Sequence, residues 1–199
     1  VRATSVGSPT TAIVGAARDM LVITAKLKQP IGAGDPVMYH RFVKSRVRST
    51  FAQISAGNWE PMMKAMAPSF SYRFYGDSTL SGERHTTEAV RRWWQRSFRL
   101  MPSATFDVLD IVVSGSPWST SVATAVAVHG TLADGSSYQN IFNQFMHMKW
   151  GRVTEIRTLE NTEVLQRAMD RLAAAGYEEA RAVPITDESA TPPSHSGEV

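Results

Sequence analysis

Residues 119–160 read STSVATAVAVHGTLADGSSYQNIFNQFMHMKWGRVTEIRTLE. Two turn signals cut this stretch into three runs: Ala133-Asp134-Gly135-Ser136 and Trp150-Gly151. Asp-Gly and X-Gly pairs supply the positive φ that tight hairpins need. The runs 119–132, 137–149 and 153–160 are rich in Val, Ile, Phe and Thr, so the reading is an antiparallel meander. Both parities are apolar. Val122, Val126 and Val128 oppose Ala123, Ala125 and Ala127, and Phe142, Met146 and Met148 oppose Ile141 and Phe145. A sheet washed by water on one side alternates cleanly. This one is expected to be covered twice, by helices on its concave face and by a second copy of the chain, in a homodimer, on its convex face.

Upstream the texture is helical. Residues 37–56 carry Phe42, Val47, Phe51 and Ile54 near one face, and Gly57 suits a left-handed C-cap. Asn58 is the expected N-cap of a short helix, 59–67, whose Met62, Met63 and Met66 turn inward before Pro68 stops it. A strand at 70–75, a polar loop at 76–85 and a third helix at 86–101 follow. That helix is capped by Thr86 or Thr87 and has Val90, Trp93, Trp94, Phe98 and Leu100 on its apolar side. A strand at 105–114 leads into the meander, and a helix at 162–175 ends at Gly176. Helices, one strand, a helix and then a meander make an α+β fold rather than alternating βα units.

The ends differ from the middle. Residues 1–36 form an expected appendage with a short amphipathic helix at 13–27, broken by Pro30, Gly32, Gly34 and Pro36. Residues 37–176 are the domain, and 177–199 are expected to be a flexible tail.

Composition narrows the function. The 199 residues are 43% hydrophobic, enough for a real core, and the net charge of +3 is too small to signal a nucleic-acid partner. The basic stretch from Arg41 to Arg48 reads as a solvated helix face. There is no cysteine, which removes thiolate nucleophiles, disulfides and Cys-based zinc sites. No histidine spacing matches a metal motif, so no metal is expected. No apolar run reaches the roughly 18 residues of a membrane span. With no charged flank leading into a long apolar stretch, no secretory signal is read, and the cytoplasm is the expected location.

Several short pieces, in order, carry a resemblance. They are Ser55-Ala56-Gly57-Asn58-Trp59, Met66-Ala67-Pro68-Ser69-Phe70, Leu80-Ser81-Gly82, Thr87-Glu88-Ala89-Val90, and residues 150–157, WGRVTEIR. Their order and spacing resemble the nuclear transport factor 2-like superfamily, and within it the SnoaL-like polyketide-cyclase and ketosteroid isomerase-like group. The resemblance implies a cystatin-like cone: a curved antiparallel sheet wrapped round three N-terminal helices, enclosing an apolar pocket, often in a dimer. The group's members include isomerases, cyclases, dehydratases, epoxide hydrolases and binding domains, so it implies fold more than function. The tyrosine and aspartate of the ketosteroid isomerases match Thr50 and Phe74 here, and neither can do that chemistry. The cyclase aspartate near the end of the last strand matches Asn161, with Glu160 beside it.

Proton transfer needs an acid or base of tuned pKa, and a carboxylate or imidazole in an apolar cavity provides one. Glu160 is the best carboxylate, Asn161 a polar orienter, and His129 and His147 the strand imidazoles. Trp59, Tyr72, Phe74, Trp93, Trp94, Phe142 and Phe145 are candidates to line a pocket for a small apolar molecule, with Asn143, His85 and Asp77 as polar contacts or rim. No phosphate-binding loop or nucleophile elbow is present, and no cofactor is expected. Two readings follow: a cofactor-independent isomerase, cyclase, dehydratase or hydrolase, or a non-catalytic binding or dimerisation domain of the same fold.

Overall fold

The computed structural model describes residues 36–187. The helix expected at 13–27 and the end of the chain from 188 onward lie outside the described residues.

Helix α1, Pro36–Ser55, buries Val43, Val47, Phe51 and Ile54, a stripe at helical spacing. Each such side chain contributes roughly 1.5–3 kcal/mol on leaving water. Phe42, expected in this stripe, is 53% exposed. The stripe needs the neighbouring Val43, which lies four residues before Val47. Gly57 at φ +77 closes α1 and donates to the Ile54 carbonyl.

Helix α2, Glu60–Ala65, is a single turn and a half. Its N-cap is Trp59 rather than Asn58, whose side chain is drawn back to the Gln53 side chain. Strand β1, Met66–Phe74, starts at once, so Pro68 sits inside a strand. The loop read at 76–85 contains a short strand, β2, Gly82–Arg84, paired antiparallel to β1. Helix α3, Thr87–Leu100, is capped by Thr86, whose hydroxyl accepts from the Ala89 N–H.

The meander follows as β3 (Thr105–Ser116), β4 (Ser119–Thr131), β5 (Ser137–Lys149) and β6 (Arg152–Glu160). Helix α4, Thr162–Ala174, follows β6. The β5–β6 turn uses Trp150 at φ 53 and Gly151 at φ 75, the paired left-handed geometry of a tight hairpin. The sheet order is β2-β1-β6-β5-β4-β3. Every neighbouring pair is antiparallel except β1 and β6, which run parallel, so the sheet is mixed. Register shifts in β1, β3 and β5 bend it. The result is a six-stranded curved open sheet with helices against its concave face, the α+β cone.

The segment after residue 176, read as flexible tail, is packed as far as Asp187. A 3-10 turn, Glu178–Arg181, buries Ala180, and Ile185 is only 4% exposed. Arg99 makes two hydrogen bonds to the Glu179 carboxylate. The Asp187 carboxylate accepts from the His85 and Thr86 N–H groups and from the Thr86 hydroxyl. Low apolar content concealed this, because the anchors are hydrogen bonds.

Candidate functional site

Strand period fixes what faces inward. Along β5, Tyr138, Asn140, Phe142 and Gln144 are buried while Gln139, Ile141, Asn143 and Phe145 are exposed. On β6 the inward parity is Ile156, Thr158 and Glu160. Glu160 pairs in register with Phe142, which puts its carboxylate diagonally beside Asn140 and Tyr138.

The three side chains bond tightly. The Tyr138 hydroxyl donates to Glu160 Oε1 at 2.5 Å, and Asn140 Nδ2 donates to the same oxygen at 2.7 Å. Asn140 Nδ2 also lies 2.9 Å from the Tyr138 hydroxyl and 3.1 Å from the Asn161 carbonyl. Oε2 of Glu160 has no partner among the described residues. Burial pushes the Glu160 carboxyl up to about 7, and the two hydrogen bonds, which favour the charged form, only partly offset it. Burial, then the Glu160 charge, push the Tyr138 phenol far up, so it is a lasting donor.

A second polar group lies further along the concave face. Gln144 Nε2 donates to Thr158 Oγ1 at 3.0 Å, and the buried Tyr72 hydroxyl bonds to Thr158 as well. Burial raises the Tyr72 phenol above its ordinary range. Around these groups the interior is aromatic. Phe142 touches Phe51 and Phe106 at ring-centroid distances of 6.1 and 6.2 Å. Trp94 packs on Trp59, Trp93, Phe98 and Phe106, and Trp93 on Tyr72 and Phe74.

Two open cavities flank this interior. One of about 670 Å³ opens among the outward-facing Ala127, His129, Gln139 and Ile141, with Val128, Asn140 and Asn161 at its edge; Glu160 does not line it. The other, about 630 Å³, lies against Met63, Met66, Phe70 and His85, away from the carboxylate.

The structure brings Glu160 together with Phe142, and Trp94 with both Trp59 and Trp93. It does not bring the histidines to them. His129 and His147 lie on the outer face, His129 at 3.7 Å from Asp107 and His147 near Ser121. Both share parity with the small alanines, and that parity faces outward. Asn143 and Phe145 point the same way for the same reason. Asn161 is the N-cap of α4, its side chain accepting from the Val164 N–H, so its carbonyl rather than its amide meets Asn140. Asp77 is exposed in a turn. His85 is exposed and sits over the Phe70 carbonyl and Glu83. Tyr138, Asn140, Gln144 and Thr158 were not anticipated. They share the parity of Phe142 and Ile156, which was the available signal.

Among the described residues no cluster of His, Asp, Glu or Cys could hold a metal ion, and no helix is long and apolar enough to cross a membrane.

Residues 47–156, more than half of the chain, match the SnoaL-like domain family. This chain belongs to that family. No curated protein matches it in sequence. Solved structures share its fold at low identity. PrhC from Penicillium brasilianum NBRC 6234 is 17% identical with a TM-score of 0.58, over 68% of this chain and 89% of that one. A nuclear transport factor 2-like protein of unknown function from Burkholderia pseudomallei K96243 is 15% identical with a TM-score of 0.56, over 63% and 95%. A candidate SnoaL-like polyketide cyclase from Jannaschia sp. CCS1 is 16% identical with a TM-score of 0.53, over 62% and 88%. At such identities these neighbours speak to fold alone.

Proposed function

We propose that this SnoaL-like domain is an enzyme that moves a proton on a small apolar oxygenated molecule, with Glu160 as acid and base and without a cofactor. One observation carries the reading: a carboxyl whose pKa is pushed up to about 7, with Oε1 fixed by Tyr138 and Asn140 and Oε2 free of partners among the described residues. A group poised there is available in both protonation states at neutral pH. Oε2 takes the proton from a carbon next to a carbonyl. The C–H electron pair moves into a new C=C bond as the carbonyl becomes an enolate. The same carboxylic acid then returns the proton to the same carbon or to a conjugated one. Isomerisation and cyclisation share this first step, so the substrate class is an enolisable ketone on an apolar frame.

The test is α-proton exchange of 2-tetralone in D₂O, followed by NMR. The chain should accelerate exchange, and Glu160→Gln should lower that rate by about 10²–10⁴-fold. Equal rates for both proteins overturn the assignment.

A non-catalytic binding or dimerisation domain is the second reading. It is favoured by the mutual contact of Phe51, Phe106 and Phe142, which fill the space beside Glu160. A homodimer through the outer face belongs to either reading. Val112, Ala123 and Phe145 form one row across β3, β4 and β5, and Asn143 pairs with Leu159 in the next. Val112, Ile141, Phe145 and Leu159 are all well exposed there. The cytoplasm remains the proposed location.

A further inference from the structure

A tight hairpin whose two central residues both take positive φ asks for Asn-Gly or Asp-Gly. The β5–β6 turn holds Trp150-Gly151 instead, with Trp150 at φ 53, the one non-glycine positive φ among the described residues. A bulky side chain is disfavoured in that conformation, and burial does not compensate for it, because Trp150 is 75% exposed. Trp118, in the turn between β3 and β4, is 59% exposed, and the two indole rings stand 6.2 Å apart. The Trp150 N–H donates to the Pro117 carbonyl at 2.8 Å, so both hairpin tips are tied together at one end of the sheet.

Helix α1 begins at the same end. His40 Nε2 lies 2.9 Å from the Gly115 carbonyl, and the Tyr39 hydroxyl 2.6 Å from Thr120 Oγ1. Met38 beside them is 72% exposed. The charges here have one sign. Lys149 and Arg152 flank the Trp150-Gly151 turn, Arg152 donates to the Lys64 carbonyl, and Arg41 and Lys44 follow on α1. None of these cations makes an ion pair with a carboxylate among the described residues. No Asp or Glu occurs in 36–55, 61–68, 111–121 or 143–154, the stretches that meet here.

The combination selects a partner. Lysine is depleted from protein–protein interfaces, whereas an anionic leaflet attracts Lys and Arg, and indole settles at the headgroup level of a bilayer. We infer that this end of the domain docks on the surface of an anionic lipid bilayer, with Trp118 and Trp150 seated among the headgroups and the surrounding cations facing lipid phosphates. The contact is peripheral, since no described helix is long and apolar enough to cross a membrane. It is independent of the acid/base reading of Glu160.

Co-sedimentation of the full chain with vesicles tests it. Phosphatidylcholine vesicles with about 30% phosphatidylglycerol should bind the chain roughly tenfold more tightly than pure phosphatidylcholine. Raising the salt from about 0.05 to about 0.5 M should weaken that binding, because the Debye length contracts. Trp118→Ser combined with Trp150→Asn should lower the affinity by about tenfold or more. Trp150→Asn alone gives the turn the pair it favours, so this variant should melt no lower than the wild type while losing part of the binding. Brominated lipids in the vesicles should quench wild-type tryptophan fluorescence, a measurement that needs no variant. Failure of the wild type to sediment, absence of quenching, equal binding to both kinds of vesicle, or full binding by the double variant overturns the proposal. So does a mass that halves in the double variant without lipid, because a second copy of the chain would then be what covers this end.

Discussion

The Tyr138 hydroxyl and the Glu160 carboxylate meet at 2.5 Å although they lie on different strands, 22 positions apart. The β5–β6 register makes the meeting, and burial gives it chemical weight. The phenol keeps its proton and donates it to the carboxylate, because its own pKa is pushed far up by burial and by the Glu160 charge. The carboxylate can therefore lean on a partner that does not compete for the proton.

Removing that partner should change the titration in a known direction. The Tyr138 hydrogen bond lowers the Glu160 pKa, against the burial that raises it. Tyr138→Phe should therefore move the Glu160 midpoint upward from about 7. A hydrogen bond to a charged group is worth roughly 1.5–3 kcal/mol, or about 1–2 pH units. Carboxyl ¹³C NMR titration of both proteins reads the shift. A wild-type midpoint near the ordinary ~4.3 would remove the premise altogether.

Stability should carry the same signature. A carboxyl raised from 4.5 to about 7 binds its proton more tightly in the folded chain. Between those values the folded state holds more protons than the unfolded one, so stability falls as pH rises. Below the unfolded value the contribution is fully present, and above the folded value it is lost. Glu160→Gln mimics the protonated acid and should remove this slope. The variant should match the wild type near pH 4.5 and exceed it at pH 8 by up to about 3 kcal/mol. Urea denaturation at the two pH values checks it, and a constant difference would count against a buried carboxyl.

The outer face of the sheet makes a prediction about assembly. Phe145 is 44% exposed and is flanked in register by Ala123. If a second copy covers this face, Phe145→Glu places a charge in each half of the interface. The mass by light scattering should then fall from dimer to monomer at micromolar concentration, with the fold intact by circular dichroism. A wild type that is already monomeric, at 21.9 kDa, disproves the dimer.

The meander was legible because its turns are chemically explicit: Asp134-Gly135 and Trp150-Gly151 each announce a reversal. Strand β2 was not. It is three residues long, and Arg84 within it is fully buried, donating to the Leu80, Ser81 and Gly82 carbonyls. Such a residue reads as surface in a sequence. The parallel β1–β6 pairing is non-local and leaves no turn to read. Glu160 stood out because a carboxylate ends an apolar strand. Its partners do not stand out, because in the sequence Tyr138 and Asn140 look like the polar face of β5. Only the burial of Phe142 tells which parity faces in, and in a strand apolar on both sides Phe142 and Phe145 are indistinguishable. His129 and His147 lie on the outward side of that same ambiguity.

The last prediction concerns the far end of the described chain. Asp187 clamps the start of α3 by accepting from His85, from Thr86 and from the Thr86 hydroxyl. Burial opposes its charge, but these hydrogen bonds and the neighbouring His85 hold its carboxyl below the usual range. A depressed carboxyl contributes stability above its unfolded pKa, and that contribution is lost as pH falls through the folded value. Asp187→Ala leaves orphan N–H groups at a helix start, which costs about 1 kcal/mol in comparable caps. The melting temperature at pH 7 should drop by a few degrees. The deficit should start to shrink as pH falls below the unfolded value of 3.8, and close only below the lowered folded value, where the wild-type carboxylate is itself protonated. Differential scanning calorimetry of both proteins at pH 7 and pH 3 measures the pair of values. An unchanged melting temperature at pH 7 would show that α3 does not depend on this clamp and that 184–187 packs through Ile185 alone.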